Sequence, residues 1–154
     1  MDSAPDMLER VFLGQVVNTT YLTQRVIGAA LGRHPLRVIN VGSAGGRFDD
    51  AQAHPVGQGG TSFVYAASKA AFHKLAPMLH TELAHAGVHA FTMNPGLVQT
   101  EALTQFVGTV PGANPVEMPA RVITWLATAP EALILSGTYQ DAVTLYERHC
   151  SVGA

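Results

Sequence analysis

At 154 residues, with 47% hydrophobic and only 13% charged side chains, the chain has the size of one domain and is apolar for that size. A net charge of -2 leaves no basic surface for nucleic acid and no polybasic membrane patch, and no run of ~18 apolar residues could span a bilayer. A single cysteine, Cys150, excludes an internal disulfide, and residues 1–10 carry acids where a signal peptide carries bases, so the expectation is a soluble cytoplasmic protein.

Residues 4–31 read as a helix, with Leu8, Phe12, Val16, Tyr21, Ile27 and Leu31 near helical spacing. Gly14 and the weak helix formers Asn18, Thr19 and Thr20 interrupt it. Residues 32–35 end it, and 37–41 form a buried strand that closes on Gly42 and Ser43. The run GSAGG is not a phosphate loop: it lacks G-x-G-x-x-G, no G-K-[ST] follows, and the next residues, RFDDAQAHPVGQGG, are a loop. Glycines 57, 59 and 60 within it follow no strand.

Residues 61–86 read as a second helix stopped by Gly87, and Pro77 inside it predicts a bend over 73–77. A strand over 88–94 ends in Asn-Pro-Gly, with Thr100 placed to cap a short helix over 101–106. Residues 107–119, rich in Gly and Pro, read as a loop leading to a helix over 117–127. Pro130 closes that helix, 132–135 reads as a third short strand, and TYQDA lies beyond it. No repeat or low-complexity segment is present.

The chemistry centres on YAASK. Tyr65 and Lys69, four apart, stack on one helix face. A free phenol titrates near pH ~10, and an adjacent ammonium favours the phenolate, moving it toward the range of a working acid/base. In isolation the same pair is an ordinary surface Tyr and Lys. Ser43 in isolation is a turn serine, but the carboxyl end of a strand is where open α/β sheets bind ligands. The seven histidines show no H-E-x-x-H and no acidic cluster; they read as solvated or capping residues, with no metal site expected. Cys150 has no activating neighbour and reads as incidental.

In order, VINVGS, YAASK and HAFTMNPGLVQTE closely resemble the short-chain dehydrogenase/reductase family over about residues 8–139. The resemblance implies an α/β, partial Rossmann-like (doubly wound) fold: three parallel strands with flanking helices and the first βαβ half missing. The domain organisation implied is one truncated domain over 1–154. It also implies an NAD(P)-dependent oxidoreductase interconverting a carbonyl and an alcohol. Tyr65 would be the acid/base, and Lys69 would lower its pKa and bind the nicotinamide ribose. Ser43 would hold the substrate oxygen, and Asn18, at a local helix break, a water leading to solvent. Pro95, Gly96, Val98 and Thr100 match the turn that meets the nicotinamide, and 107–119 the position of the substrate lid. Family members dimerise through the helices carrying Asn18 and Tyr65, implying a homodimer or heterodimer with no nucleic-acid or membrane partner.

The family's glycine-rich first turn, which seats the pyrophosphate on a helix N-terminus, has no counterpart in this sequence. Cofactor affinity for NAD or NADP is therefore expected to be weakened, and the strand over 37–41 to present an apolar edge. The alternative is a catalytically inactive half-domain that acts as a dimerisation or interaction module.

Overall fold

The computed structural model describes residues 4–48 and 62–151. Most of the expected RFDDAQAHPVGQGG loop, including its glycine cluster, lies outside the described residues.

The first helix changes pitch instead of breaking. Helix α1 (Pro5–Phe12) passes into a π-helical turn, Leu13–Asn18, and then into α2 (Thr19–Ala30). Such wide turns insert one residue into an α-helix and recur at functional sites. The Thr19 hydroxyl donates to the Gly14 carbonyl five residues back, at 3.3 Å. The expected interruption by Gly14 and Asn18 is thus a wide turn that keeps the helix axis continuous.

Strands β1 (Leu36–Val41), β2 (Val88–Asn94) and β3 (Tyr139–Asp141) form one parallel sheet in the order β1-β2-β3. The register sets Asn40 beside Thr92 and Thr92 beside Tyr139, one row across the sheet. Between β1 and β2 run α3 (Phe63–His73) and α4 (Leu75–Leu83), separated at Lys74, then a 3-10 turn, Ala84–Ala86. Gly87 stops it at φ +81°, a left-handed conformation that glycine adopts without steric cost. The bend expected from Pro77 is this separation. Proline has no amide to offer the His73 carbonyl, and that carbonyl instead meets the Thr92 hydroxyl at 3.5 Å.

After β2 come α5 (Glu101–Val107), α6 (Glu117–Thr128) and, beyond β3, α7 (Ala142–Leu145) with a π-helical tail, Tyr146–Cys150. The third strand is not at 132–135 as expected. Pro130–Leu135 is a 3-10 helix, and β3 follows it within TYQDA. Pro130 at the first helical position has its φ preset for a helical turn. Spacing of three then buries Ala132 and half-buries Leu135, leaving Ile134 86% exposed. Arg37 of β1 secures the entry, its Nη1 donating to the carbonyls of Leu126 and Ala129 at 2.8 and 2.7 Å.

Alternation along β2 builds both cores. Val88 and Ala90 pack with Ile27 of α2 and with Ala76 and Leu79 of α4. Phe91 and Met93 pack with Met118, Val122 and Leu126 of α6 and with Ala142 and Leu145 of α7. Helices on both faces of a parallel sheet are what an α/β fold requires, because βαβ crossovers place them there. Among the described residues β1 pairs on one side only, and Val41 at its end is 44% exposed. The strand expected to be buried is half-buried over most of its length and ends in the apolar edge anticipated for it.

Candidate active site

Lys69 and the turn that carries Ser43 meet at the carboxyl end of β1. Ser62 caps α3, its hydroxyl accepting the Tyr65 amide at 3.3 Å, which sets Tyr65 in the first helical turn. Lys69 follows one turn on, and its Nζ donates to the carbonyl of Val41, the last residue of β1, at 3.2 Å. The same Nζ lies 5.8 Å from the centre of the Tyr65 ring and 5.5 Å from that of Phe72. Lys69 thus ties the helix to the strand end and carries its positive charge to the phenol's side.

Ser43 sits two residues past that carbonyl, in extended conformation, and begins a 3-10 turn over Ala44–Gly46. Its hydroxyl accepts the Gly45 amide at 3.2 Å, and its own amide donates to Nε2 of His73 at 3.2 Å. The turn lies hard against α3. A Cβ on Gly46 would stand 2.7 Å from Lys69 Cβ and 2.8 Å from the Lys69 carbonyl carbon.

Asn18 closes the π-helical turn with its side chain exposed. The turn's link to α3 is made by Gln15: buried Ser68 lies within reach of Gln15 Oε1 (3.3 Å) and of the Tyr65 carbonyl (2.9 Å). The structure brings Lys69 to the strand end that carries Ser43, with the Tyr65 ring beside its ammonium, and the Lys69 ammonium is bonded to Val41 and not to Asn18.

The turn after β2 forms the opposite side. Asn94 takes the Gly96 amide on Oδ1 (3.2 Å) and donates from Nδ2 to Asp141 (3.0 Å), and Gly96 has φ +73°. Thr100 caps α5, its hydroxyl accepting the Leu103 amide at 3.1 Å. Val98 bridges Asn114 in a single parallel pair. Gln99, which sequence reasoning passed over, clasps the following segment: its Oε1 accepts the Val110 amide (2.8 Å) and its Nε2 donates to the Gly108 carbonyl (3.1 Å).

These groups fit the nicotinamide end of a dinucleotide. An ammonium beside a phenol suits ribose hydroxyls, and a glycine turn with an extended Val98 suits a carboxamide. Among the described residues no glycine turn opens a helix to receive a pyrophosphate, and no cluster of His, Cys, Asp or Glu is arranged to hold a metal ion.

His73 is the other residue that sequence reasoning missed. Expected to be solvated or capping, it is half-buried on Ser43, with its ring 5.3 Å from that of Tyr139. Burial pushes its pKa below 6.5, the Lys69 ammonium pushes the same way, and the Gly46 carbonyl opposes both. Its spacing was the available signal: four beyond Lys69 and eight beyond Tyr65, it continues their helix face. Elsewhere, burial pushes the Cys150 thiol up against the opposing charge of Arg121, and His149 stacks on Trp125 at 4.2 Å.

The profile of the short chain dehydrogenase family matches residues 2–109, well over half of the chain. No curated protein matches the sequence. Among solved structures, a short chain dehydrogenase/reductase family protein is similar at 24% identity and TM-score 0.74, over 92% of this chain and 59% of its own. A short chain dehydrogenase from Salmonella enterica serovar Typhi is similar at 22% identity and TM-score 0.74, over 92% and 55%. An angucycline C-6 ketoreductase with bound NADP is similar at 20% identity and TM-score 0.71, over 92% and 54%. At these identities the likeness is one of fold, a partial Rossmann-like sheet. The chain spans between about half and three fifths of the length of these relatives. Family profile and strand-end geometry agree: the chain belongs to the short chain dehydrogenase family.

Proposed function

We propose that this chain carries the catalytic part of an NAD(P)-dependent oxidoreductase that interconverts a carbonyl and an alcohol on a small molecule. The observation that carries it is the 3.2 Å bond from Lys69 to the Val41 carbonyl, two residues before Ser43, with the Tyr65 ring 5.8 Å from the same ammonium. The ketoreductase with bound NADP and a 4-hydroxyisoleucine dehydrogenase complexed with NADH, similar at 20% identity and TM-score 0.68, support a nicotinamide cofactor.

Tyr65 gives its phenolic proton to the substrate oxygen in one direction and takes it back in the other. Lys69 stabilises the negative charge that develops on the phenol oxygen and offers hydrogen bonds to a ribose. Ser43 holds the substrate oxygen with its hydroxyl hydrogen, while one of its two lone pairs takes the Gly45 amide. Asn18 holds a water that returns protons from solvent. Pro95, Gly96, Val98 and Thr100 frame the nicotinamide. When bound, the cofactor supplies or accepts the hydride. The whole chain, 1–154, acts as one partial domain in a reducing, cytoplasmic setting, and it pairs through the helices carrying Asn18 and Tyr65.

The test is titration of the purified chain with NADH and NADPH, read by energy transfer from Trp125, followed by turnover of the wild type and of Tyr65→Phe. Binding is expected, with a loss of about a thousandfold in turnover for the variant, the scale of a positioned acid/base. Substantial turnover by Tyr65→Phe removes the proton-transfer role. A chain that binds neither nucleotide yet sediments as a defined dimer is instead an interaction module.

A further inference from the structure

We propose that His73 is a positioning residue for Ser43: its unprotonated Nε2 accepts the Ser43 amide and holds the serine at the strand end, and protonation of the ring releases that amide. The catalytic meaning rests on the function proposed above; the structural claim stands without it.

The ring occupies a place made for it. A Cβ on Gly42 would stand 2.6 Å from His73 Nε2, and one on Gly46 would stand 2.7 Å from Cε1. Real Cβ contacts are essentially never that close, so Gly42, just before Ser43, and Gly46, three residues after it, leave the space that the imidazole fills. Tyr139 lies on one side of the ring at 5.3 Å, inclined by 56°. The His73 carbonyl is held by Thr92, so the residue is anchored at both backbone and side chain. Ser43 is correspondingly held at three atoms, its amide by His73, its hydroxyl by Gly45 and its carbonyl by the Gly46 amide at 3.1 Å. Lys69 reaches the strand through a different atom, the Val41 carbonyl. Loss of the His73 bond therefore releases the Ser43 amide alone, while Lys69 and the turn bonds to Gly45 and Gly46 stay in place.

A nitrogen that accepts the Ser43 amide carries no proton, so the neutral ring has its hydrogen on Nδ1. Protonation would set an N–H against an N–H, replacing attraction with repulsion. Among the described residues, the titratable or charged groups around the ring are Lys69 and Lys74 from its own helix and the following junction, Arg47 beyond the 3-10 turn, and Tyr139 from β3. Burial and the Lys69 ammonium oppose a positive charge on the ring, whereas the Gly46 carbonyl favours it. A cavity of about 490 Å³, lined in part by Arg47, Ala70, Lys74 and Gly137, meets the ring, so solvent protons reach it.

The test uses the intact chain and nuclear magnetic resonance. Long-range proton–nitrogen spectra are expected to show the Nδ1–H tautomer of His73 at pH 7.5. The Ser43 amide shift is expected to follow the His73 titration, with a midpoint below 6.5. In His73→Gln, whose side-chain oxygen can accept the same amide, the acid step disappears and Ser43 amide exchange stays near wild type. In His73→Phe that exchange is about fivefold faster, the loss expected for one net hydrogen bond. An Nε2–H tautomer, or a Ser43 amide indifferent to the His73 titration, overturns the proposal even if His73→Phe fails to fold. None of these readouts needs turnover, so they separate failure of this proposal from failure of the oxidoreductase reading, which Tyr65→Phe tests. In preparations that turn over, kcat is expected to fall with acid along the His73 midpoint, and His73→Gln to remove that step.

Discussion

Single side chains at the end of β1 carry more than one task. Lys69 ties α3 to the Val41 carbonyl and faces the Tyr65 ring; His73, one turn later, holds the amide of Ser43. Gly46 lets these side chains and the turn approach, and replacing it with alanine drives a Cβ into Lys69 backbone at 2.8 Å. Gly46→Ala is expected to cost about 1–3 kcal/mol by urea unfolding, the usual penalty of overpacking, and to lower turnover by displacing Ser43. His73 also links stability to pH. Because its folded pKa lies below 6.5, the unfolded chain binds a proton that the folded chain does not, between the two values. Its contribution is therefore complete above 6.5 and is lost as pH falls through that window, and His73→Gln is expected to flatten the stability profile there.

At the scale of elements, the site is assembled from two strand ends and one bent helix. Pro77 ends α3's regular hydrogen bonding, and the freed His73 carbonyl is taken by Thr92 on β2, so the bend registers the helix on the sheet. The segment over 108–114 is held against the turn after β2 by Gln99 and by the backbone pair Gln99–Asn114 (2.9 Å). This segment lies within 107–119, the stretch whose sequence resembles a substrate lid, and the Gln99 side chain clasps it. Gln99→Ala is expected to speed amide exchange at Val110 about fivefold and to lower stability by about 1 kcal/mol, with α6 protection unchanged. Equal protection of Val110 in both proteins would show that backbone pairing alone holds the segment.

Across the molecule, two apolar cores on opposite faces of the sheet are complete, whereas the outer face of the first helix is not. Leu13, Val17, Tyr21 and Leu22 are each more than half exposed, and β1 pairs on one side only among the described residues. Contiguous apolar exposure of this kind marks surfaces that associate. On the pairing proposed above, Val17→Lys with Tyr21→Lys is expected to shift sedimentation from dimer toward monomer. An unchanged distribution would place the interface elsewhere. The fold likeness to the short chain dehydrogenase/reductase family protein at 24% identity reaches 92% of this chain but only 59% of that one.

By itself the sequence determined the period-two and period-3.6 segments, the stop at Gly87, the bend at Pro77 and the pairing of Tyr65 with Lys69, because each depends on neighbours within a few residues. It placed β2 at its observed bounds and the family by the order of three short motifs. It misplaced the third strand, since an apolar run of four reads alike as strand or helical turn; Pro130, the burial of Ala132 and the Arg37 bonds to Leu126 and Ala129 decide it. Only the tertiary structure decided that Lys69 bonds Val41, that Gln99 clasps 108–114 and that His73 meets Ser43. Those contacts join residues 28, 11 and 30 apart in the chain, and such separations leave no local periodicity to read. A hydrogen bond of this kind exists only once the sheet and its helices have brought its two ends together.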